Sequence, residues 1–114
     1  MKALIVSACL LVSSVAWAAP TLTVNGSSAA ISVAPGSVVN VTVQNGPGTS
    51  SDCVGLYPTS AGLFDPAISL SFVTGTTATL PFTMPSTSGT YEFRFFQHCA
   101  NAQKLATSPT VTVQ

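Results

Sequence analysis

The sequence predicts an all-β fold, an antiparallel β-sandwich of about seven strands behind an N-terminal signal peptide. Three observations carry this. Apolar and polar residues alternate at a period of two along most of the chain. Turn-forming runs interrupt that alternation about every ten residues. Near the N-terminus, an apolar run closes on a small-residue pattern, Ala16-Trp17-Ala18. A length of 114 residues suits one domain and excludes an enzyme built from separate cofactor and substrate domains.

Residues 1–18 read as the signal peptide. Lys2 supplies the positive start, Ala3–Val12 the apolar run, and Ala16 and Ala18 the small residues that a signal peptidase pocket requires. Cleavage after Ala18 leaves residues 19–114 as a single domain, whereas cleavage after Ala19 would set Pro20 beside the scissile bond. A competing pattern is Val6-Ser7-Ala8-Cys9, which resembles a bacterial lipobox with Cys9 as the acylated residue. Against it, the apolar segment starts only shortly before Cys9 and continues well past it. No second apolar run of spanning length follows, so the expected mature chain has no transmembrane segment and is secreted, periplasmic or extracellular.

The strands follow in order. Thr21–Val24 and Ile31–Val33 are short β-prone runs parted by Asn25-Gly26. Beyond Pro35-Gly36, Val39, Val41 and Val43 alternate with Val38, Asn40, Thr42 and Gln44, the pattern of a half-buried strand. Gly46-Pro47-Gly48 ends that run and opens a flexible loop to Ser51. Val54–Tyr57, Ile68–Val73 and Thr79–Met84 come next, the last two divided by Thr74-Gly75. After Ser88-Gly89, Tyr91, Phe93 and Phe95 alternate with Glu92, Arg94 and Phe96, and Thr110–Val113 closes the chain. No window combines an apolar helical stripe with a cap and a terminal glycine.

Charge is scarce. Three basic and three acidic residues with one histidine leave no electrostatic footprint for nucleic acid or anionic lipid. Residues 19–114 keep Arg94 and Lys104 against Asp52, Asp65 and Glu92, a formal net charge of −1. In an oxidising compartment the two cysteines of that segment, Cys53 and Cys99, pair by default.

Catalytic constellations are correspondingly thin. His98 and Cys99 are sequence neighbours, and neighbours on a strand point to opposite faces, which excludes a hydrogen-bonded dyad there. Metal-ligand spacing is absent, and a copper site on His98 and Met84 lacks further ligands. Asp52 and Asp65 are the one carboxylate pair to weigh for glycoside hydrolysis, but they read more simply as turn formers, Asp65 with Pro66. No nucleophile elbow and no phosphate-binding glycine loop occurs. The expectation is a protein that is not an enzyme, with no metal and no cofactor. Asn25-Gly26-Ser27 and Asn40-Val41-Thr42 are formal glycosylation sequons, relevant only to a eukaryotic source.

Ser88-Gly89-Thr90-Tyr91 narrows the architecture. In immunoglobulin-like sandwiches a Gly-x-Tyr at the entry to strand F forms a tyrosine corner, whose phenol bonds back to the backbone. With Tyr91 in that role, Phe93 stands where antibody domains carry a core cysteine, facing Val39, Val41 or Val43 from strand B.

Asp52-Cys53-Val54-Gly55-Leu56-Tyr57 resembles the Asp-Trp-(Val/Ile)-Gly-Leu-Tyr run of a large group of immunoglobulin-like domains in secreted proteins. SKICH-type sandwiches look alike in this motif. Gly89-Thr90-Tyr91-Glu92-Phe93-Arg94-Phe95-Phe96 resembles that group's Gly-x-Tyr-Glu-x-Arg strand, and Leu105-Ala106-Thr107-Ser108 its closing strand. The resemblance implies an immunoglobulin-like β-sandwich that serves as an accessory module. Cys53 departs from the pattern by replacing the tryptophan. With strands C and F as antiparallel neighbours, a Cys53–Cys99 disulfide is topologically sensible. Parity opposes it, because Cys53 would point outward and Cys99 inward unless a bulge or frayed end follows Phe96.

Binding is the remaining function. Outward positions on strand F are Glu92, Arg94, Phe96 and His98, and Tyr57 lies outward on strand C. Tyr57, Arg94, Phe96 and His98 would together form an amphipathic patch able to stack on a glycan or anchor a protein. The bland alternative is that the Gly62–Phe64 loop covers Phe96 and that Glu92 and Arg94 are an ordinary pair. The leading expectation is a non-catalytic interaction module for a protein or glycan, using the strand C/F face or its loops. Alternatives are a structural subunit of an extracellular surface layer or filament, self-associating through strand Thr21–Val24 completing a neighbour's sheet, and a carbohydrate-binding accessory protein.

Overall fold

The computed structural model describes residues 18–114. The expected signal peptide, apart from Ala18, and the competing acylation at Cys9 lie outside the described residues.

Among the described residues nine strands form two sheets: β1 (Thr21–Val24), β2 (Ile31–Val33), β3 (Val38–Gln44), β4 (Asp52–Pro58), β5 (Ser69–Val73), β6 (Ala78–Thr83), β7 (Gly89–Phe96), β8 (Lys104–Thr107) and β9 (Val111–Val113). The smaller sheet has the order β1-β3-β6. The larger has the order β2-β9-β7-β4-β5, with β8 also paired to β7. Strands β3 and β6 thus hold the places of B and E in an immunoglobulin-like sandwich, and β4 and β7 those of C and F.

Period-two patterning explains which side of each strand is buried. Leu22 and Val24 of β1, Val39, Val41 and Val43 of β3, and Phe82 of β6 face Val54, Leu56, Tyr91, Phe93, Phe95, Val111 and Val113 of the opposite sheet. At the centre the Phe82 and Phe93 rings meet with centroids 4.9 Å apart at 56°. Tyr91 leaves the core edge with its Oη donating to the Thr87 carbonyl at 2.8 Å.

The expected all-β sandwich is present, with two differences of detail. The sandwich is not wholly antiparallel, since β2 pairs in parallel with β9. The chain changes sheets after the turn that follows β1, where Asn25 (φ 51°) and Gly26 (φ 77°) adopt left-handed backbone. Beyond that turn the chain pairs with the other sheet rather than with its own. Strand count is also higher than about seven, partly because the closing strand is split into β8 and β9 at Ser108-Pro109. Pro109 has no N–H to give a ladder. Ser108 bridges the break instead: its Oγ accepts from Phe93 N at 2.9 Å, and its own N–H donates to Phe93 O at 2.9 Å.

Phe93→Ala should cost about 3–5 kcal/mol of stability, because it deletes the ring that spans the two sheets. Urea denaturation of the variant measures this; a loss below about 1 kcal/mol would show that the core closes without it.

Candidate functional site

In the larger sheet the outer face of β4 and most of β7 is buried as well, and this decides where a contact surface can be. Antiparallel register sets Cys53 between Phe72 and Phe96, Gly55 between Leu70 and Arg94, and Tyr57 beside Glu92. All these side chains project away from the core. The connection from Pro58 to Ile68 then folds back over them, so that Cys53, Tyr57 and Phe96 form a second apolar cluster with Ala61, Ala67 and Cys99.

Arg94 holds that connection down. Its Nη2 donates to Ala61 O at 2.7 Å and its Nη1 to Gly62 O at 3.1 Å. Its Nε donates to Glu92 Oε2 at 2.8 Å, and its guanidinium carbon lies 4.6 Å from the Tyr57 ring centroid. Planarity lets one side chain make all four contacts at once. Asp65 tightens the same loop by accepting from Gly62 N at 2.7 Å. The Tyr57 ring lies back over Gly55, where an added Cβ would come within 2.7 Å of the ring and 2.9 Å of Leu70. It meets Phe96 edge to face, with centroids 6.0 Å apart.

The exposed patch is therefore corrected in favour of the alternative, a loop that covers Phe96, although the residues packed on the ring's cluster are Ala61 and Ala67. Tyr57, Arg94 and Phe96 retain only 2%, 5% and 1% of their surface, so no exposed stacking platform exists on these side chains. The alternation placed them correctly outside the core, but the loop covers that face. His98 is not on strand F at all. β7 stops at Phe96, and residues Gln97–Cys99 make one 3₁₀ turn with His98 and Cys99 at φ 54° and 53°. That turn resolves the parity conflict, because it carries Cys99 to the outer face, where it is bonded to Cys53 with Cα atoms 5.0 Å apart. His98 Nδ1 lies 3.0 Å from Ser50 O. Met84 is buried in the core between the sheets, so it shares no site with this ring.

The two aspartates also have local duties. Asp52 is buried, and its Oδ1 accepts from Thr49 Oγ1 at 2.6 Å and His98 N at 2.9 Å, tying the loop before β4 to the 3₁₀ turn. Asp65 serves the Gly62 turn already described. Strand Thr21–Val24, expected as a donated strand, pairs with β3 of its own sheet and buries Leu22 and Val24. The sequon residues Asn25 and Asn40 are bonded to one another, Asn40 N donating to Asn25 Oδ1 at 2.9 Å.

Exposed apolar surface lies elsewhere, along β5 and the loop that leads to it. Phe64 is 73% exposed, Phe72 65%, Leu70 53% and Ile68 49%. A cleft of about 320 Å³ opens beside them, lined by Tyr57, Pro66, Leu70, Phe96 and the disulfide. A larger groove of about 650 Å³ runs between β1 and β8, but its lining offers neither an aromatic ring nor a charge. In the sequence Leu70 and Phe72 belong to the ordinary β-prone run Ile68–Val73. Their exposure follows from β5 being the last strand of its sheet, which no local pattern announces.

Replacing Arg94 by Met should cost about 3 kcal/mol, near the lower limit for a broken buried pair because Glu92 keeps some solvent contact. Amide exchange in residues 59–65 should accelerate more than exchange in β7; uniform protection in the variant would show that the loop holds without the guanidinium. Tyr57 supplies a pH signature. Burial raises its phenol above the ordinary 10.0, with the Arg94 charge pulling the other way. The folded state thus keeps a proton that the unfolded chain releases. Its contribution is complete below pH 10.0 and is lost as pH rises through the folded value. Tyr57→Phe should flatten the fall in stability above that pH, read from urea midpoints at stepped alkaline pH.

No family model matches the chain, and no curated protein matches it. Among solved structures it is similar to the solution NMR structure of a CARDB domain from Pyrococcus furiosus, at 18% identity. The match covers 82% of this chain and 93% of that one, with a TM-score of 0.43. The immunoglobulin-like assignment therefore stands on the strand order and register above.

Proposed function

We propose that the protein is a secreted, non-catalytic interaction module that binds a protein partner through β5 and the loop before it. The observation that supports this most is the exposure of Ile68, Leu70 and Phe72 on one face of β5 and the segment leading to it, with Phe64 in the loop before, next to a β4 whose outer face is covered. Scattered exposed apolar residues are ordinary, but a stripe on an open sheet edge offers both anchors and unpaired backbone groups. A protein suits this surface better than a glycan. Phe64 and Phe72 expose rings, but Ile68 and Leu70 come between them along the chain and cannot stack on a sugar, and Tyr57 and Phe96 are buried. The signal-like N-terminus and the Cys53–Cys99 bond support an oxidising, extracytoplasmic setting. Among the described residues no helix is long and apolar enough to cross a membrane.

Site-specific photo-crosslinking in the native host tests this. A photoreactive residue at Phe72 should label a defined partner, and one at exposed Asn40 on the smaller sheet should not. Phe72→Ser should then weaken binding of that partner at least tenfold with the fold retained. Equal labelling from both positions, or unchanged affinity, would remove β5 as the contact surface.

A further inference from the structure

Open sheet edges invite unwanted strand pairing, and proteins blunt them with proline, charge or brevity. The outer strands of this molecule follow that rule in every case but one. β6 carries Pro81. β8 begins with Lys104. β2 is three residues long and followed by Pro35, and the four-residue β1 follows Pro20. β5 reads Ser69-Leu70-Ser71-Phe72-Val73, with neither proline nor charge, and ends the larger sheet.

We infer that β5 pairs with β5 of a second copy of this chain, antiparallel about a two-fold axis at Ser71. This rests on the reading of β5 as the contact surface and names its partner. In that register Leu70 of each copy lies opposite Phe72 of the other, on the same face, so the apolar stripe is complementary to itself. The pairing joins two six-stranded sheets edge to edge.

Charge argues for a second copy over a charged peptide. β5 has no titratable side chain, and Asp65 in the preceding loop turns its carboxylate to Gly62 N at 2.7 Å. A formal charge of −1 on residues 19–114 gives two copies almost no mutual repulsion. Area sets the strength. An aromatic side chain presents about 150–250 Å², so the exposed stripe supplies on the order of 400 Å² per copy, about half the share of a standard interface. The dimer is therefore reversible, with dissociation in about the micromolar range.

Sedimentation velocity of the purified secreted protein, residues 19–114, over a dilution series tests this. The expected result is a monomer–dimer equilibrium that Phe72→Lys weakens more than tenfold, with circular dichroism unchanged, while Val38→Lys on the smaller sheet leaves it intact. Leu70→Lys serves as the second edge variant if Phe72→Lys fails to fold. A monomer at every concentration would overturn the inference, as would a dimer indifferent to Phe72→Lys and Leu70→Lys. Should the chain stay monomeric while Phe72 still crosslinks a different host protein, the self-pairing fails and the contact surface survives. Loss of both results removes the surface itself.

Discussion

One guanidinium determines which surface this molecule shows to solvent. Arg94 spans from Glu92 on its own strand to two carbonyls of the covering loop, with the Tyr57 ring against its face. Burying a cation is costly unless its donors are matched, and here each contact is made by a fixed partner. Because the loop is tied down, the outer side of β4 and most of β7 is a packed layer, with the cleft of about 320 Å³ opening at its border with β5. In a small sandwich this second cluster adds apolar burial that the inter-sheet core alone does not supply.

The disulfide belongs to the same layer. It sits between β4 and the turn that ends β7, and it packs with Tyr57 and Phe96 under the loop. Closing a loop of this size contributes about 2–4 kcal/mol, mostly by restricting the unfolded chain. Asp52 reinforces the junction from the neighbouring position, through its bonds to Thr49 and the His98 backbone. Covalent, ionic and apolar interactions therefore converge on the outer face of two strands. What they leave exposed is the next strand out, β5, whose partnerless edge follows from where the sheet ends. The loop path buries one face, and the end of the sheet leaves the adjacent edge open.

Strand identity, the sandwich class, the inward series Tyr91, Phe93 and Phe95, and the Cys53–Cys99 partnership were legible in the sequence, because period-two alternation and turn residues act locally. Side-of-sheet assignments for Tyr57, Arg94 and Phe96 were also legible. Their exposure was not, since an outward residue is solvated only if nothing crosses over it. The Pro58–Ile68 connection carries no signal for its path, which depends on two carbonyls finding one arginine in three dimensions. Gly55 shows the same limit. Within the sequence it is a glycine in a strand, and only the packed Tyr57 ring reveals why a Cβ cannot be there.

Local chemistry by itself thus determined the strands, their inner faces, the turns and the residues that face away from the core. Tertiary structure alone decided that β2 runs parallel to β9, that Ser108 bridges a broken closing strand, and that β5 is the unguarded edge. The physical reason is one of range. Alternation and turn propensity arise among neighbours a few residues apart. Burial and edge position depend on which distant segments come to lie beside a strand, and here those segments are fixed by a buried cation, a disulfide and the order of strands in the sheet.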